Sequence, residues 1–344
     1  MDREKRSRQL KRIVSILFIV FSAWAGVCHG ASLDGKSIDL GLEEIAAGDY
    51  SAAADTFDRV IASAPERPEG YFFKASVFHI LKSHIRRKDY QETWRKNAEK
   101  AMALSEALLE KNPEDTRALL LAGLTEGMRI VDALDSSSYL TAFLRAGAME
   151  NHLEKAIELD PKIHDAYYGL GIYHIRGSTE SWVRMFRFFI GDTSAKGRAY
   201  LRRAVDGKGW ISNSARQALI WALYRAEKFQ EARGYVEYLR ARYPKNVLYD
   251  VAHAESFFIA EDYPHARAEY AKLLSRLEQS KDEILRLYRE FARWRVIRCD
   301  YALGKQEEAA EETRELLTEK HMYSSLMEQI RLELESAAGV LKEK

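Results

Sequence analysis

Cysteine is scarce in this sequence, which limits how the chain can be cross-linked. Only two cysteines, Cys28 and Cys299, occur among 344 residues. Because Cys28 lies in an N-terminal segment that we expect to be cleaved off, Cys299 would be alone in the mature chain. An internal disulfide is therefore excluded, and the simplest interpretation of Cys299 is a small, buried, apolar side chain.

Proline and strand-like runs are also scarce. The chain has 6 prolines, and no stretch alternates Val, Ile or Thr with polar residues for long enough to predict a sheet. Alanine, leucine, glutamate, arginine and lysine are frequent, and these residues favour helix. With 31% charged and 47% apolar residues, the composition is that of a folded chain. The sequence therefore predicts an all-α protein.

The sequence signatures of common catalytic and metal sites are missing. There is no His-Glu-x-x-His, Cys-x-x-Cys, Gly-x-Ser-x-Gly or phosphate-binding glycine loop. His79 and His84 are five residues apart, which places them about 140° apart around a helix and makes them poor co-ligands. Paired carboxylates such as Glu43 and Glu44 fit a solvated helix face better than acid–base catalysis. We predict no enzymatic activity, no cofactor and no metal.

The first thirty residues have the layout of a secretory signal. Six basic residues precede an apolar run, Ile13–Val27, and small residues follow it up to Ala31. The run is shorter than the roughly 20 residues of a stable membrane span. We expect cleavage after Gly30, with an uncleaved inner-membrane anchor as the alternative. A lipoprotein is less well supported, because Val27 stands where a small residue is required before the cysteine.

Charge in the remaining chain is nearly balanced. Residues 31–344 contain 47 basic and 50 acidic side chains, a net charge of −3. This balance provides no general positive field for nucleic acid or for acidic membranes. We therefore predict no nucleic-acid partner.

A pattern of large and small residues at helical spacing begins near residue 40 and recurs along the chain. In the first unit its positions are Leu40, Gly41, Gly48, Tyr50, Ala53, Phe57, Val60 and Pro65. The stretch His152–His174 has the same pattern, with Ala156 and Gly171 as the small residues where two helices approach closely. This pattern resembles the tetratricopeptide repeat. The resemblance implies a right-handed superhelix of about seven helical hairpins over residues 31–344.

The units are unequal in length. Pro113, Pro161 and Gly209 follow Pro65 at intervals of 48 residues, whereas the resemblance implies 34. Units two to four thus carry 14 extra residues each, between Phe78 and Ala101, between Glu126 and Met149, and between His174 and Gly197. Divided over both arms of a hairpin, they would lengthen each helix by about two turns. Units five to seven return to ordinary length, and Ser324–Leu341 is predicted to be a capping helix.

A narrower resemblance lies in Trp182–Ala204 and in residues 215–246. An aromatic amphipathic turn, a Gly-Asp step and a Gly-x-x-x-Leu helix follow one another there. This order resembles the eukaryotic tetratricopeptide repeat domain 39 family and exported bacterial relatives. The resemblance implies an association with membranes and lipid-related processes, without an established enzymatic activity.

The three extensions are the expected functional region, because equivalent insertions in a repeat array stack on one edge. In the third, an apolar stripe at i, i+3, i+4 and i+7 is flanked by two arginines and by one aromatic residue off the stripe. Two alternatives stay open: the stripe packs on the neighbouring extensions, or it forms a ledge for a partner helix or membrane surface. The candidate contact residues are Trp182, Arg184, Met185, Phe186, Arg187, Phe188 and Phe189, with Tyr90 and Trp94 from the first extension.

These features predict a non-catalytic scaffold or adaptor, exported to the periplasm or cell envelope of a bacterium. We expect it to bind segments of another envelope protein on its concave face and along the aromatic ledge. The alternative is a protein that associates with lipid or a membrane surface through the Trp182–Ile190 helix.

Overall fold

The computed structural model describes residues 35–85, 87–177 and 193–318. Three sequence predictions therefore lie outside the described residues: the secretory signal 1–30, the Trp182–Ile190 helix and the capping helix Ser324–Leu341. In the part of the chain that is described, every regular element is helical. Fourteen helices follow in order: α1 Gly35–Ala47, α2 Tyr50–Ser63, α3 Pro68–His84, α4 Lys88–Lys111, α5 Thr116–Asp135, α6 Tyr139–Leu159, α7 His164–Gly177, α8 Ser194–Asp206, α9 Ser212–Arg225, α10 Phe229–Arg242, α11 Val247–Ile259, α12 Tyr263–Leu277, α13 Glu283–Ala302 and α14 Gln306–Thr318.

Successive helices pair into seven hairpins, which confirms the predicted all-helical repeat fold. Direct packing joins α1 to α2, α5 to α6, α7 to α8, α11 to α12, and α13 to α14. The rings of Phe78 and Tyr90 meet between α3 and α4 with centroids 5.8 Å apart. Tyr224 and Phe229 do the same between α9 and α10, at 6.4 Å.

Hairpins two and three are longer than hairpin one, as their spacing predicts. Helices α1 and α2 have 13 and 14 residues, whereas α5 and α6 have 20 and 21. In hairpin three the extra residues therefore lengthen both arms equally, by about two turns each. In hairpin two the division is unequal, since α3 has 17 residues and α4 has 24. Helices α7 and α8 have 14 and 13 residues, and the extra residues of that unit lie outside the described ranges.

Small residues allow the helices of a hairpin to touch where the sequence pattern predicts it. A Cβ atom added to Gly41 would lie 2.5 Å from the ring of Phe57, so a larger residue would separate α1 from α2. At Gly171 an added Cβ would lie 3.1 Å from the carbonyl oxygen of Gly197, which shows that the backbones of α7 and α8 are in contact. Leu40 is the exception to the pattern, because its side chain is about half exposed.

The turn between α1 and α2 is made at Gly48. Its φ angle is 83°, a left-handed conformation that glycine adopts without steric cost. The Asp49 N–H donates to the carbonyl of Glu44, which closes the C-terminus of α1. Asp49 then accepts a hydrogen bond from the Ala52 N–H and starts α2.

The described chain forms two compact units. The first contains residues 35–81 and 88–223, and the second contains 82–85, 87 and 224–318. In the first unit the ring of Trp210 packs edge-on against Phe73 and lies beneath the guanidinium of Arg117. The second is built around a buried ion pair between Glu255 and Arg295. Among the described helices, none is both long and apolar enough to cross a membrane.

Candidate functional site

Seven of the nine predicted contact residues cannot be placed. Trp182, Arg184, Met185, Phe186, Arg187, Phe188 and Phe189 all lie outside the described residues. On either side of this segment, α7 ends at Gly177 and α8 begins at Ser194. Helices α7 and α8 belong to the first compact unit, which also contains hairpin three and most of hairpin two.

Tyr90 and Trp94, the other two predicted contact residues, lie on α4. Tyr90 is half-buried against Phe78. Trp94 is buried, with its ring centroid 5.9 Å from that of His79. Both side chains therefore contribute to the packing of hairpin two, and Trp94 in addition forms part of the floor of a groove.

This groove lies between α4, α5 and α6 and has a volume of about 250 Å³. Three arginines and two carboxylates make its lining strongly polar, and serines at the α5–α6 turn form its rim. The lining residues are Trp94, Arg95, Ala98, Glu99, Arg129, Asp132, Ala133, Ser136, Ser138, Thr141 and Arg145. The groove could not be predicted from the sequence, because its charged residues come from three helices and form no local motif.

The arginines of the groove differ in their partners. Glu126 accepts hydrogen bonds from Arg129 at 2.9 Å and from Arg145 at 2.8 Å, so one carboxylate holds both guanidinium groups. Arg95 is exposed, and within the described ranges its guanidinium has no carboxylate partner. In this groove Arg129 and Arg145 are held in place by Glu126. The N–H donors of Arg95 are available to a ligand.

A second surface feature is the N-terminal half of α6, where large apolar side chains face solvent. Leu140, Phe143 and Leu144 are 72%, 62% and 64% exposed, and Tyr139 is 50% exposed. The opposite side of the same helix is packed into the unit through Ala142, Met149, Leu153 and Ala156. Helix α6 is thus apolar on two sides, and one of them has no cover among the described residues.

This face was not among the predicted contact residues, although the sequence contains a signal for it. Tyr139 and Phe143 belong to the second extension, between Glu126 and Met149. Leu140 and Leu144 complete a stripe with Phe143 at i, i+3 and i+4. A helix that is apolar on two sides needs two partner surfaces, so this pattern could have indicated α6 from the sequence.

Buried ionisable groups in this unit have structural roles. Asp165 accepts hydrogen bonds from the backbone N–H groups of Trp210 and Ile211, at 3.1 and 2.9 Å, and burial raises its pKa to about 7. A carboxylic acid with a pKa near 7 is suited to proton transfer, but this one is buried against two donors. No cluster of three or more metal-ligating side chains occurs among the described residues.

Comparison with known proteins supports the repeat architecture. A model of the tetratricopeptide repeat family matches residues 38–84 and 218–282. The search of curated proteins gave no significant match, so the narrower resemblance to the domain 39 family stays a prediction. The first matched segment covers α1 to α3, and the second runs from within α9 to the end of α12.

Several solved structures are similar at low identity. The thermophilic TPR protein TTC0263 of Thermus thermophilus shares 16% identity over 65% of this chain and 98% of its own, with a TM-score of 0.42. A tetratricopeptide repeat protein from Parabacteroides merdae shares 13% over 87% and 97%, with a TM-score of 0.41. PilF of Pseudomonas aeruginosa shares 18% over 74% and 95%, with a TM-score of 0.34. Similarities this weak indicate neither a partner nor an activity.

The family match and the fold agree. The family model recognises segments in both halves of the chain, and the described helices form seven successive hairpins between and around them. The chain contains tetratricopeptide repeats in residues 38–84 and 218–282, within an all-helical repeat fold.

Proposed function

We propose that this protein is an exported, non-catalytic scaffold that binds a segment of another cell-envelope protein on its lengthened second and third hairpins. Tetratricopeptide repeats are protein-interaction scaffolds, because each added hairpin enlarges a continuous surface. The basic, apolar and small-residue layout of residues 1–30 supports export. We assign the binding surface to hairpins two and three because the groove lies there, between α4, α5 and α6.

The groove favours a partner segment that carries a carboxylate. Arg95 offers an exposed guanidinium, and Arg129 and Arg145 lie on the other walls of the groove. Arginine binds carboxylates with two parallel hydrogen bonds, which provides orientation as well as affinity. Arg129 and Arg145 already share Glu126, so we expect Arg95 to contribute most to binding. A glutamate or aspartate, or a C-terminal carboxylate, fits this arrangement.

A photo-crosslinking probe at Ser136, on the groove rim, tests the proposal in cells. We expect one adduct with a specific envelope protein, and its loss in the Arg95→Glu variant. The matched control is Arg314→Glu, the same charge reversal at an exposed position on α14, which should retain the adduct. Equal adduct in parent and Arg95→Glu would show that the groove does not bind the partner.

Contact with lipid or a membrane surface is the second candidate function. It is favoured by the exposed side chains of Leu140, Phe143 and Leu144 on α6, and by the apolar composition of Trp182–Ile190. Sedimentation of the purified protein with liposomes of phosphatidylethanolamine and phosphatidylglycerol distinguishes the two functions. Liposome binding by the parent protein that is lost in Phe186→Asp would support the lipid function. If the parent protein does not bind liposomes, the lipid function is excluded and the scaffold function is favoured.

A further inference from the structure

We propose that two copies of this chain pair through the exposed face of α6, as an antiparallel dimer with twofold symmetry. The face consists of Leu140, Phe143 and Leu144, with Gly147 next along the same side of the helix. This inference goes beyond the function proposed for the groove, because it concerns a different side of α6 and a partner that is identical to the chain itself.

The exposed face is one side of a regular helix. Leu140, Phe143, Leu144 and Gly147 recur at i, i+3, i+4 and i+7, the spacing that places residues on one side of an α-helix. The three large side chains are 72%, 62% and 64% exposed. The buried residues of α6, Met149 among them, lie on the opposite side. A stripe with this spacing fits the side of another helix.

Gly147 leaves a notch in this stripe. An added Cβ would meet nothing within 4 Å apart from its chain neighbours and the backbone of its own helix. At Gly123 on α5, by contrast, an added Cβ would lie 2.7 Å from Leu153, so that glycine is required by packing within the chain. Glycine destabilises a helix interior relative to alanine, and at position 147 no contact of the described residues explains it. A large side chain from a neighbouring helix would fit there.

The stripe is complementary to itself when a second copy runs in the opposite direction. Leu140 is three residues before Phe143, and Gly147 is three residues after Leu144. A twofold axis between positions 143 and 144 therefore brings Leu140 of each copy over Gly147 of the other. Phe143 and Leu144 then each meet their own counterpart beside the axis. Such a match within one patch is what a twofold interface requires, whereas a parallel pair would place the two notches together and leave them unfilled.

The stripe has no charge that would oppose self-association. Charged groups near a twofold axis meet their own copies, and like charges placed together disfavour binding. In residues 139–149 the only charged side chain is Arg145, and it donates to Glu126 at 2.8 Å on another side of the helix. A neutral apolar stripe favours a neutral apolar partner, and a second copy provides one.

Helix α7 ends before it reaches this part of α6. The two helices pack together in opposite directions, and Glu150 and Tyr173 share a side-chain hydrogen bond. Gly177, four residues beyond Tyr173, is therefore level with Ala146. Residues 139–145 extend about 10 Å past that level, at 1.5 Å per residue. Hairpin three thus protrudes beyond α7 where the stripe lies, and α7 does not obstruct a second copy there.

The area of the face is that of a small, reversible interface. Tyr139, at the edge of the stripe, is 50% exposed and adds to Leu140, Phe143 and Leu144. A large apolar side chain has on the order of 200 Å² of surface, so these exposures give roughly 500 Å² per copy. The dimer buries about 1,000 Å² in total, which is the lower limit for a specific interface. We therefore expect a dimer that dissociates in the micromolar range.

Sedimentation velocity of the purified full chain, over a concentration series that spans the micromolar range, tests the dimer. We expect monomer at the low end and dimer at the high end. Phe143→Glu places like charges beside the axis and should weaken dimerisation at least about tenfold. The matched control is Tyr238→Glu on α10, where the side chain is 51% exposed, and it should dimerise like the parent.

Two results would overturn the proposal. Monomer throughout the series would do so, and would leave the face of α6 to another occupant, such as lipid or a different protein. A dimer that Phe143→Glu does not weaken would show that the two copies associate through another surface.

A substitution in the notch separates association from folding. Gly147→Leu should raise the thermal midpoint of the monomer, because leucine favours helix more than glycine does. It should also weaken the dimer, because the new side chain overlaps Leu140 of the second copy. Gly234→Leu on α10, where an added Cβ is equally free of contacts, is the control and should leave the dimer intact. Parent-like dimerisation of Gly147→Leu would overturn the proposed register.

Cysteine crosslinking checks the direction of the two copies. Chains with Leu140→Cys and chains with Gly147→Cys are mixed and oxidised, in a Cys28→Ser background that retains the buried Cys299. We expect a disulfide-linked dimer from the mixture and none from either variant alone, because identical positions are roughly 10 Å apart along the helix axis. Disulfides in the single variants would indicate a parallel pair and would overturn the proposal. Absence of a disulfide from the mixture would also overturn it.

Discussion

The carboxylate of Asp165, at the start of α7, accepts a hydrogen bond from the backbone N–H of Ile211 at 2.9 Å, just before α9 begins. Trp210 donates a second bond at 3.1 Å. A Cβ atom added to Gly209 would lie 2.4 Å from the Asp165 carboxylate. Gly209 occupies the position at which earlier repeats have proline. Any side chain there would displace the Asp165 carboxylate, which accepts the two hydrogen bonds before α9.

Asp165 should make the stability of the first unit depend on pH. Burial raises its pKa from 3.8 to about 7, so the folded protein binds a proton that the unfolded chain releases. Its contribution to stability is fully present below about pH 4 and is lost as the pH rises through about 7. Relative to the parent, Asp165→Asn should therefore gain stability from pH 4 to pH 8, by up to about 4 kcal/mol.

The measurement is urea unfolding of both proteins over this pH range. The comparison with the parent is necessary because burial lowers the pKa of His174 to about 4, which affects stability in the opposite direction over the same range. A parent that becomes more stable than Asp165→Asn as the pH rises would show that the two N–H donors outweigh burial.

The buried ion pair of the second unit should tolerate removal of both charges better than removal of one. Arg295 donates to both oxygens of Glu255, at 2.5 and 2.8 Å, and both side chains are fully buried. Glu255→Leu would leave a buried guanidinium without its counter-ion, at a cost of about 3–5 kcal/mol. Glu255→Leu with Arg295→Met should recover most of this loss in denaturant unfolding. A double variant less stable than the single one would contradict the prediction.

Close contact between α7 and α8 should make Gly171 intolerant of even one methyl group. An added Cβ would lie 2.8 Å from Leu201 and 3.1 Å from the Gly197 carbonyl, so Gly171→Ala should destabilise by about 1–3 kcal/mol. Gly234→Ala on α10 is the matched control, since its added Cβ would meet nothing within 4 Å apart from its chain neighbours and the backbone of its own helix. That change should stabilise by about 0.5–1 kcal/mol, because alanine is the better helix former. Thermal unfolding of both variants measures the difference, and equal effects would argue against backbone contact at Gly171.

The proposed export can be tested at the N-terminus of the protein isolated from cells. We expect the intact mass of the protein isolated from cells to correspond to a chain that begins at Ala31, because small residues follow the apolar run. A mass that includes residues 1–30 would show an uncleaved anchor. Added lipid mass on Cys28 would identify a lipoprotein, against the prediction from Val27.

Much of the fold could be predicted because repeats are specified locally. The contact between Gly41 and Phe57 and the turn at Gly48 arise from residues within one hairpin. The 48-residue spacing correctly predicted longer helices in hairpins two and three. The division of the extra residues in hairpin two was not predictable, because a helix boundary depends on packing as well as on local propensity.

The candidate surfaces were harder to predict. Arg95, Arg129 and Arg145 come from three helices, and no spacing in the sequence shows that they face one groove. Trp94, which the sequence analysis assigned to a partner contact, is buried beside His79. An aromatic residue with basic neighbours has the same appearance in a core as on an interface, since periodicity does not report which face is covered.

The sequence by itself determined the helical class, the repeat and the greater length of units two and three, because these depend on helix propensity and on contacts between neighbours along the chain. Only the tertiary structure decided which side of α6 is buried, which arginines Glu126 holds, and where α7 stops relative to α6. These features depend on the relative placement of three helices. That placement results from the packing of many side chains together, and no single stretch of sequence contains it.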